Sequence, residues 1–85
     1  MAYTVTLKRS AEKELDDLPA RIRTKIVNIL LSFKENPFPR NSKKLHGREG
    51  FRVRLGEYRI LYTVDQNEKK VDVVSVAHRK DVYRY

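Results

Sequence analysis

Residues 51–62 read FRVRLGEYRILY, two runs in which apolar and basic side chains alternate on either side of Gly56-Glu57. Alternation with a period of two marks strands with one buried face. A glycine at the first of two loop positions suits a type II′ turn, whose twist matches the strands it joins. The spacing therefore predicts a β-hairpin in which Leu55 opposes Tyr58 and Arg54 opposes Arg59, with Arg52 two residues along on the same face. Like charges placed opposite one another destabilise a sheet, so stability alone gives little reason to gather three guanidinium groups there. An anion bound between them would offset the cost. On this reading Arg59 stands exposed, and Arg59→Ala should leave the fold intact.

The 85 residues suffice for one small domain, expected to span residues 1–85, with a modest core. There is no cysteine, which excludes disulfides and thiolate metal ligands and suits a reducing compartment. The opening MAYTVTLKRS has no apolar signal-peptide core, and no run approaches the roughly 18 apolar residues that span a bilayer. A soluble, cytoplasmic protein without membrane contact is expected. The formal net charge is +8, and between Arg40 and Arg59 seven Lys/Arg face two acids. Such a local excess favours a polyanionic partner, nucleic acid first, although a solvated face that promotes solubility has the same composition.

Upstream of the hairpin, Tyr3, Val5 and Leu7 alternate with threonines and predict a strand. Ser10 is placed to N-cap a helix whose inward positions are Ala11, Leu15 and Leu18. Pro19 closes that helix and suits the opening of the next, whose apolar stripe is Ile22, Ile26, Ile29, Leu30 and Phe33, ending before Asn36-Pro37. Arg21, Arg23, Lys25 and Lys34 read as its solvated face. Residues 36–50, NPFPRNSKKLHGREG, lack periodicity and predict a long loop tacked down by Phe38 and Leu45. Lys43, Lys44 and Arg48 would extend the basic surface from it. After a polar turn near Gln66–Lys70, VDVVSVAHR is Val-rich enough for a strand buried on both faces. Two registers fit it, one of which puts Val74 and Val76 under the helices and Ser75, Ala77 and Arg79 on the other face as a shallow floor. The expected architecture is α+β: two N-terminal helices on one face of a small, mostly antiparallel sheet, in the order β-α-α-β-β-β, with the other face open and basic.

Standard catalytic patterns are absent. The sequence has no phosphate-cradling glycine loop, no HExxH, no metal-spaced His cluster and no nucleophile elbow, so neither a metal nor another cofactor is expected. His46 and His78 lie far apart, and a lone histidine is more often structural than catalytic; His78 gains interest from its neighbour Arg79. What remains is Arg, Lys and Tyr. Such a set suffices for RNA cleavage, because the substrate's own 2′-hydroxyl attacks the adjacent phosphate while guanidinium groups stabilise the charge that develops. Tyr83, close to several arginines, would have its phenolate favoured and could serve as a base; packing of a terminal aromatic on the sheet explains it equally well.

LHGREGFRVRLGEYRILY followed by VVSVAHRKDVYRY resembles the RelE/ParE superfamily of toxins from toxin–antitoxin pairs, over nearly the whole chain. The resemblance to the RelE branch implies a metal-independent, ribosome-dependent mRNA endonuclease that cuts in the decoding site and inhibits translation. Its implied partners are the ribosome, mRNA and a RelB-like antitoxin, with which it would form a hetero-oligomer. By position it implies a catalytic set of Arg52, Arg54, Arg59, Arg79 and Tyr83, with His78 where better known members have another basic residue; His78 and the loop cations Lys43, Lys44 and Arg48 are expected to bind RNA. Arg52 and Arg54 stand where better known members have lysines. Arginine is a poorer general base, so proton abstraction would shift to Tyr83 or His78. ParE-like members, which poison DNA gyrase, and a non-catalytic RNA- or antitoxin-binding module are the alternative readings.

Overall fold

In the computed structural model, which describes residues 2–78, the chain runs β1 (Thr4–Leu7), α1 (Arg9–Asp16), α2 (Ala20–Ser32), β2 (Lys43–Lys44), β3 (Phe51–Leu55), β4 (Tyr58–Asp65) and β5 (Lys70–His78). The strands form one sheet in the order β1-β5-β4-β3-β2. All pairs are antiparallel except β1 with β5. The expected α+β architecture is present, with one addition: the long loop contains the two-residue strand β2. Among the described residues, no helix is long and apolar enough to cross a membrane.

The hairpin follows its predicted register, with Leu55 opposite Tyr58 and Arg54 opposite Arg59. Gly56 has φ +57 and Glu57 does not share a positive φ, the combination a type II′ turn requires. Val53, Ile60 and Tyr62 enter a core with Ala11 of α1, Ile26, Leu30 and Phe33 of α2, and Val71, Val73 and Val76 of β5. Tyr3, Val5 and Leu7 pack at its margin. Both helices therefore cover the face opposite the arginines.

The helix starts differ in part from expectation. Lys8 in extended conformation precedes α1, and Ser10 lies inside the first turn with no side-chain cap. The strand β1 delivers the chain so directly that the boundary falls where it leaves the sheet, two residues early. Pro19 is the N-cap of α2, and its carbonyl accepts the Arg23 amide at 2.9 Å.

Both candidate registers of the last strand occur, one on each side of a bulge. Tyr62 pairs with Val73 but Leu61 pairs with Ser75, so Val74 is the extra residue. Val71 and Val73 are core before it and Val76 after it, while Val74 joins neither set. This corrects the expected pairing of Val74 with Val76 under the helices. Beyond the bulge β1 no longer pairs, and Glu14 takes its place: its Oε1 accepts the Val76 amide at 3.0 Å and the Ser75 hydroxyl at 3.2 Å. A side chain from α1 thereby satisfies a strand edge that would otherwise be buried without partners.

Tyr62 anchors the 36–42 segment. Its side chain is fully buried, its ring lies 4.4 Å from that of Phe33, and its hydroxyl donates to the Pro37 carbonyl at 2.7 Å. Burial pushes the phenol up to about 12, against an opposing hydrogen bond with Ser42. The folded state thus keeps this proton where the unfolded chain gives it up. The stability it contributes is complete below pH 10 and is lost as pH rises through about 12. Tyr62→Phe should cost about 1–2 kcal/mol at neutral pH by orphaning the carbonyl. The gap to wild type should close between pH 10 and 12, and denaturant melts across that window check it. A constant gap would refute the titration.

Candidate anion-binding face

On the face turned away from the helices, β3 carries Arg52 and Arg54 and β4 carries Arg59 and Leu61, because their alternate neighbours Val53, Ile60 and Tyr62 are committed to the core. The register then fixes which cations meet. Arg54 is directly opposite Arg59, Arg52 is opposite Leu61, and on the outer side Arg52 is opposite Lys43. Cross-strand partners share a face, with Cβ atoms roughly 4.5–5.5 Å apart. Four cations therefore stand in two pairs. Among the described residues, none of Lys43, Arg52 and Arg54 has a carboxylate at ion-pair distance; the Lys8–Asp72 pair, 3.3 Å, is at the far side of the sheet.

Their solvation differs. Lys43 and Arg54 are exposed and Arg52 is half-buried, but Arg59 is only 5% exposed, contrary to the expectation that it projects into solvent. It lies between Arg54 and Ala77 in the central strand and is engaged by a neighbouring group. A buried guanidinium is held in place and acts through a lower effective dielectric than an exposed one. The expected floor of small residues is also modified. Leu61 and Ala77 are buried, and Leu45 packs against them from the loop, so the tacking predicted for Leu45 is to this face; Phe38 meets Phe51 edge-on at 5.2 Å.

Other predicted site residues are dispersed. Lys44 pairs with Phe51 and so faces away from Arg52, lining an open depression with Glu49 and Asp65. His78 pairs with Tyr58, their rings edge-to-face at 5.5 Å, on the helix-covered side of the sheet rather than beside Arg59. Arg48 is exposed in the loop and is engaged by another group. Arg79 and Tyr83 lie outside the described residues. Among the described residues, no cluster of His, Cys, Asp or Glu could hold a metal ion.

One structural residue of this region was not singled out in the sequence. Gly50 is buried with φ +122, and a Cβ there would stand 2.9 Å from the Tyr62 carbonyl oxygen. Its own carbonyl accepts the Leu45 amide at 2.9 Å. The GREG stretch signals a turn, but only the close approach to β4 makes this particular glycine necessary.

Fold and face together define a class of small α+β proteins with a cation-bearing sheet opposite a helix-covered core. The family described as the ParE toxin of the type II toxin–antitoxin system parDE matches residues 5–83. Toxin RelG of Mycobacterium tuberculosis is 34% identical over 99% of both chains. The chain is also similar to solved structures of the toxin–antitoxin complex RelBE2 from M. tuberculosis, with TM-score 0.82, 32% identity and coverage of 93% of this chain and 100% of that one, and of the intact RelBE complex from E. coli, with TM-score 0.79, 28% identity and coverage of 91% and 96%. This chain belongs to the RelE/ParE superfamily of type II toxin–antitoxin toxins.

Proposed function

We propose that this toxin is a ribosome-dependent, metal-independent mRNA endonuclease, with Arg52, Arg54, Arg59, Arg79 and Tyr83 as its working set and a RelB-like antitoxin as its partner in a hetero-oligomer. The observation that carries the reading is the Arg54–Arg59 pair, with Arg52 beside it, on the sheet face turned away from the helices. The similar M. tuberculosis and E. coli chains come from toxin–antitoxin complexes, which supports the partner. In this reading the guanidinium groups hold the scissile phosphate and stabilise the charge on its oxygens as the 2′-hydroxyl attacks. Tyr83, as its phenolate, takes up the hydroxyl proton, a role the permanently protonated arginines cannot fill; the P–O5′ bond breaks, Arg79 stabilises the departing 5′-oxygen as it gains a proton, and a 2′,3′-cyclic phosphate remains.

Primer extension on a defined mRNA positioned on ribosomes tests it. Cleavage within the decoding-site codon is expected with ribosomes present and not in their absence. A second reading draws on the family match itself, which is to ParE: an intact message together with inhibition of gyrase supercoiling would replace the nuclease reading by gyrase poisoning. Inactivity in both assays would leave a non-catalytic binding module.

A further inference from the structure

We propose that Lys43 is a substrate-positioning residue, and that the two cation pairs, Arg54 with Arg59 and Arg52 with Lys43, hold two successive phosphates of a single-stranded RNA running along β3. The proposal rests on the nuclease reading above and specifies how that site takes its substrate.

The argument starts from the pleat. Two residues along a strand advance about 6.8 Å, close to the separation of neighbouring phosphorus atoms in an extended nucleic-acid strand. Arg52 and Arg54 are two residues apart on β3, and each has a cationic partner directly across, one on each side of the strand. The two β3 arginines therefore repeat with the period of the RNA backbone, and the pair centres lie roughly 8 Å apart on a diagonal across β3, a spacing long cationic side chains can close onto successive phosphates. The pairs differ in kind. The Arg54–Arg59 pair includes the buried, positioned guanidinium suited to a reacting phosphate, whereas Lys43 is an exposed ammonium on a two-residue edge strand, a point charge suited to holding a phosphate without orienting it closely.

Lys44 provides an internal contrast. It adjoins Lys43 in sequence and is equally exposed, but it faces the other way and shares its depression with Glu49 and Asp65. Any effect of overall charge should be the same for both lysines. An effect of the phosphate track should appear at Lys43 alone.

The test measures binding of a short 2′-O-methylated single-stranded RNA, which cannot be cleaved, to the full chain and its variants over a range of salt concentrations. Removing one phosphate contact lowers the slope of log K against log salt by about 0.7, which corresponds to about fivefold weaker binding at 0.1 M salt. Lys43→Ala should show both changes, Lys43→Arg should restore them, and Lys44→Ala should bind as wild type does. Because Lys43 and Arg52 share a phosphate, K43A and R52A should be non-additive, whereas K43A and R54A should add. Equal effects of K43A and K44A, or additivity of K43A with R52A, would overturn the proposal. Cleavage on ribosomes is scored separately. A wild type that binds RNA with this pattern but cuts nothing sinks the nuclease reading alone, and one that cuts on ribosomes without binding this RNA sinks the phosphate track alone.

Discussion

Arg59→Met is expected to abolish growth arrest and to lower the rate of message cleavage about a hundredfold or more, the usual consequence of removing a positioned charge-stabilising donor, while the protein stays folded. Methionine is chosen because Arg59 is buried. Methionine fills a similar volume and leaves no large cavity, but Arg59 is engaged by another group that the substitution leaves unpaired, so a thermal melt showing a folded protein is what allows lost activity to be assigned to the guanidinium. Alanine is the wrong probe. It would leave a cavity under Ala77 and Arg54, at a cost of about 2–4 kcal/mol, and inactivity would then report unfolding. Arg59→Lys adds the chemical distinction, because it retains the charge and loses the two-pronged geometry; activity well below wild type is expected there too. Cleavage by a folded Arg59→Met within a few-fold of wild type would remove Arg59 from the site.

Gly50→Ala should produce the largest loss of stability of any single methyl addition near the site. The new Cβ would meet a backbone oxygen of the central strand at 2.9 Å, which no rotamer change relieves, at a φ of +122 that side-chain-bearing residues rarely adopt. Strain and overpacking together are expected to cost about 2–4 kcal/mol, and at roughly 4–8 °C per kcal/mol for a domain of this size the melting temperature should fall by about 10–25 °C. A thermal melt within two or three degrees of wild type would show that the loop accommodates the methyl group by moving. Since the Gly50 carbonyl holds the Leu45 amide and Leu45 packs on Leu61 and Ala77, displacement would also disturb the loop that carries Lys43.

The hairpin was legible because its information is local. Gly56 sets the turn, the turn sets the register, and period-two alternation then assigns Arg52, Arg54 and Arg59 to one face without reference to the rest of the chain. The stripe of α2 was legible for the same reason, and Ile26, Leu30 and Phe33 are where the spacing put them. The RelE/ParE resemblance rested on the hairpin stretch together with VVSVAHRKDVYRY. The valine strand was less tractable. Its residues suit either face, so the bulge at Val74 left no mark in composition, and the phase of β5 changes partway along it.

By itself the sequence determined the helix pair, the hairpin and the cationic character of one sheet face, since each follows from periodicity and turn chemistry within a dozen residues. Only the tertiary structure decided which cations belong together. Lys43 and Lys44 are indistinguishable until a two-residue edge strand pairs with β3 and turns one towards Arg52 and the other away. His78 is separated from Arg59 by its pairing with Tyr58. Arg59 is buried in the central strand although Arg54, directly opposite it on the same face, is exposed. Each of these outcomes depends on hydrogen bonds and packing between segments distant in the chain, whose free energies no local pattern contains.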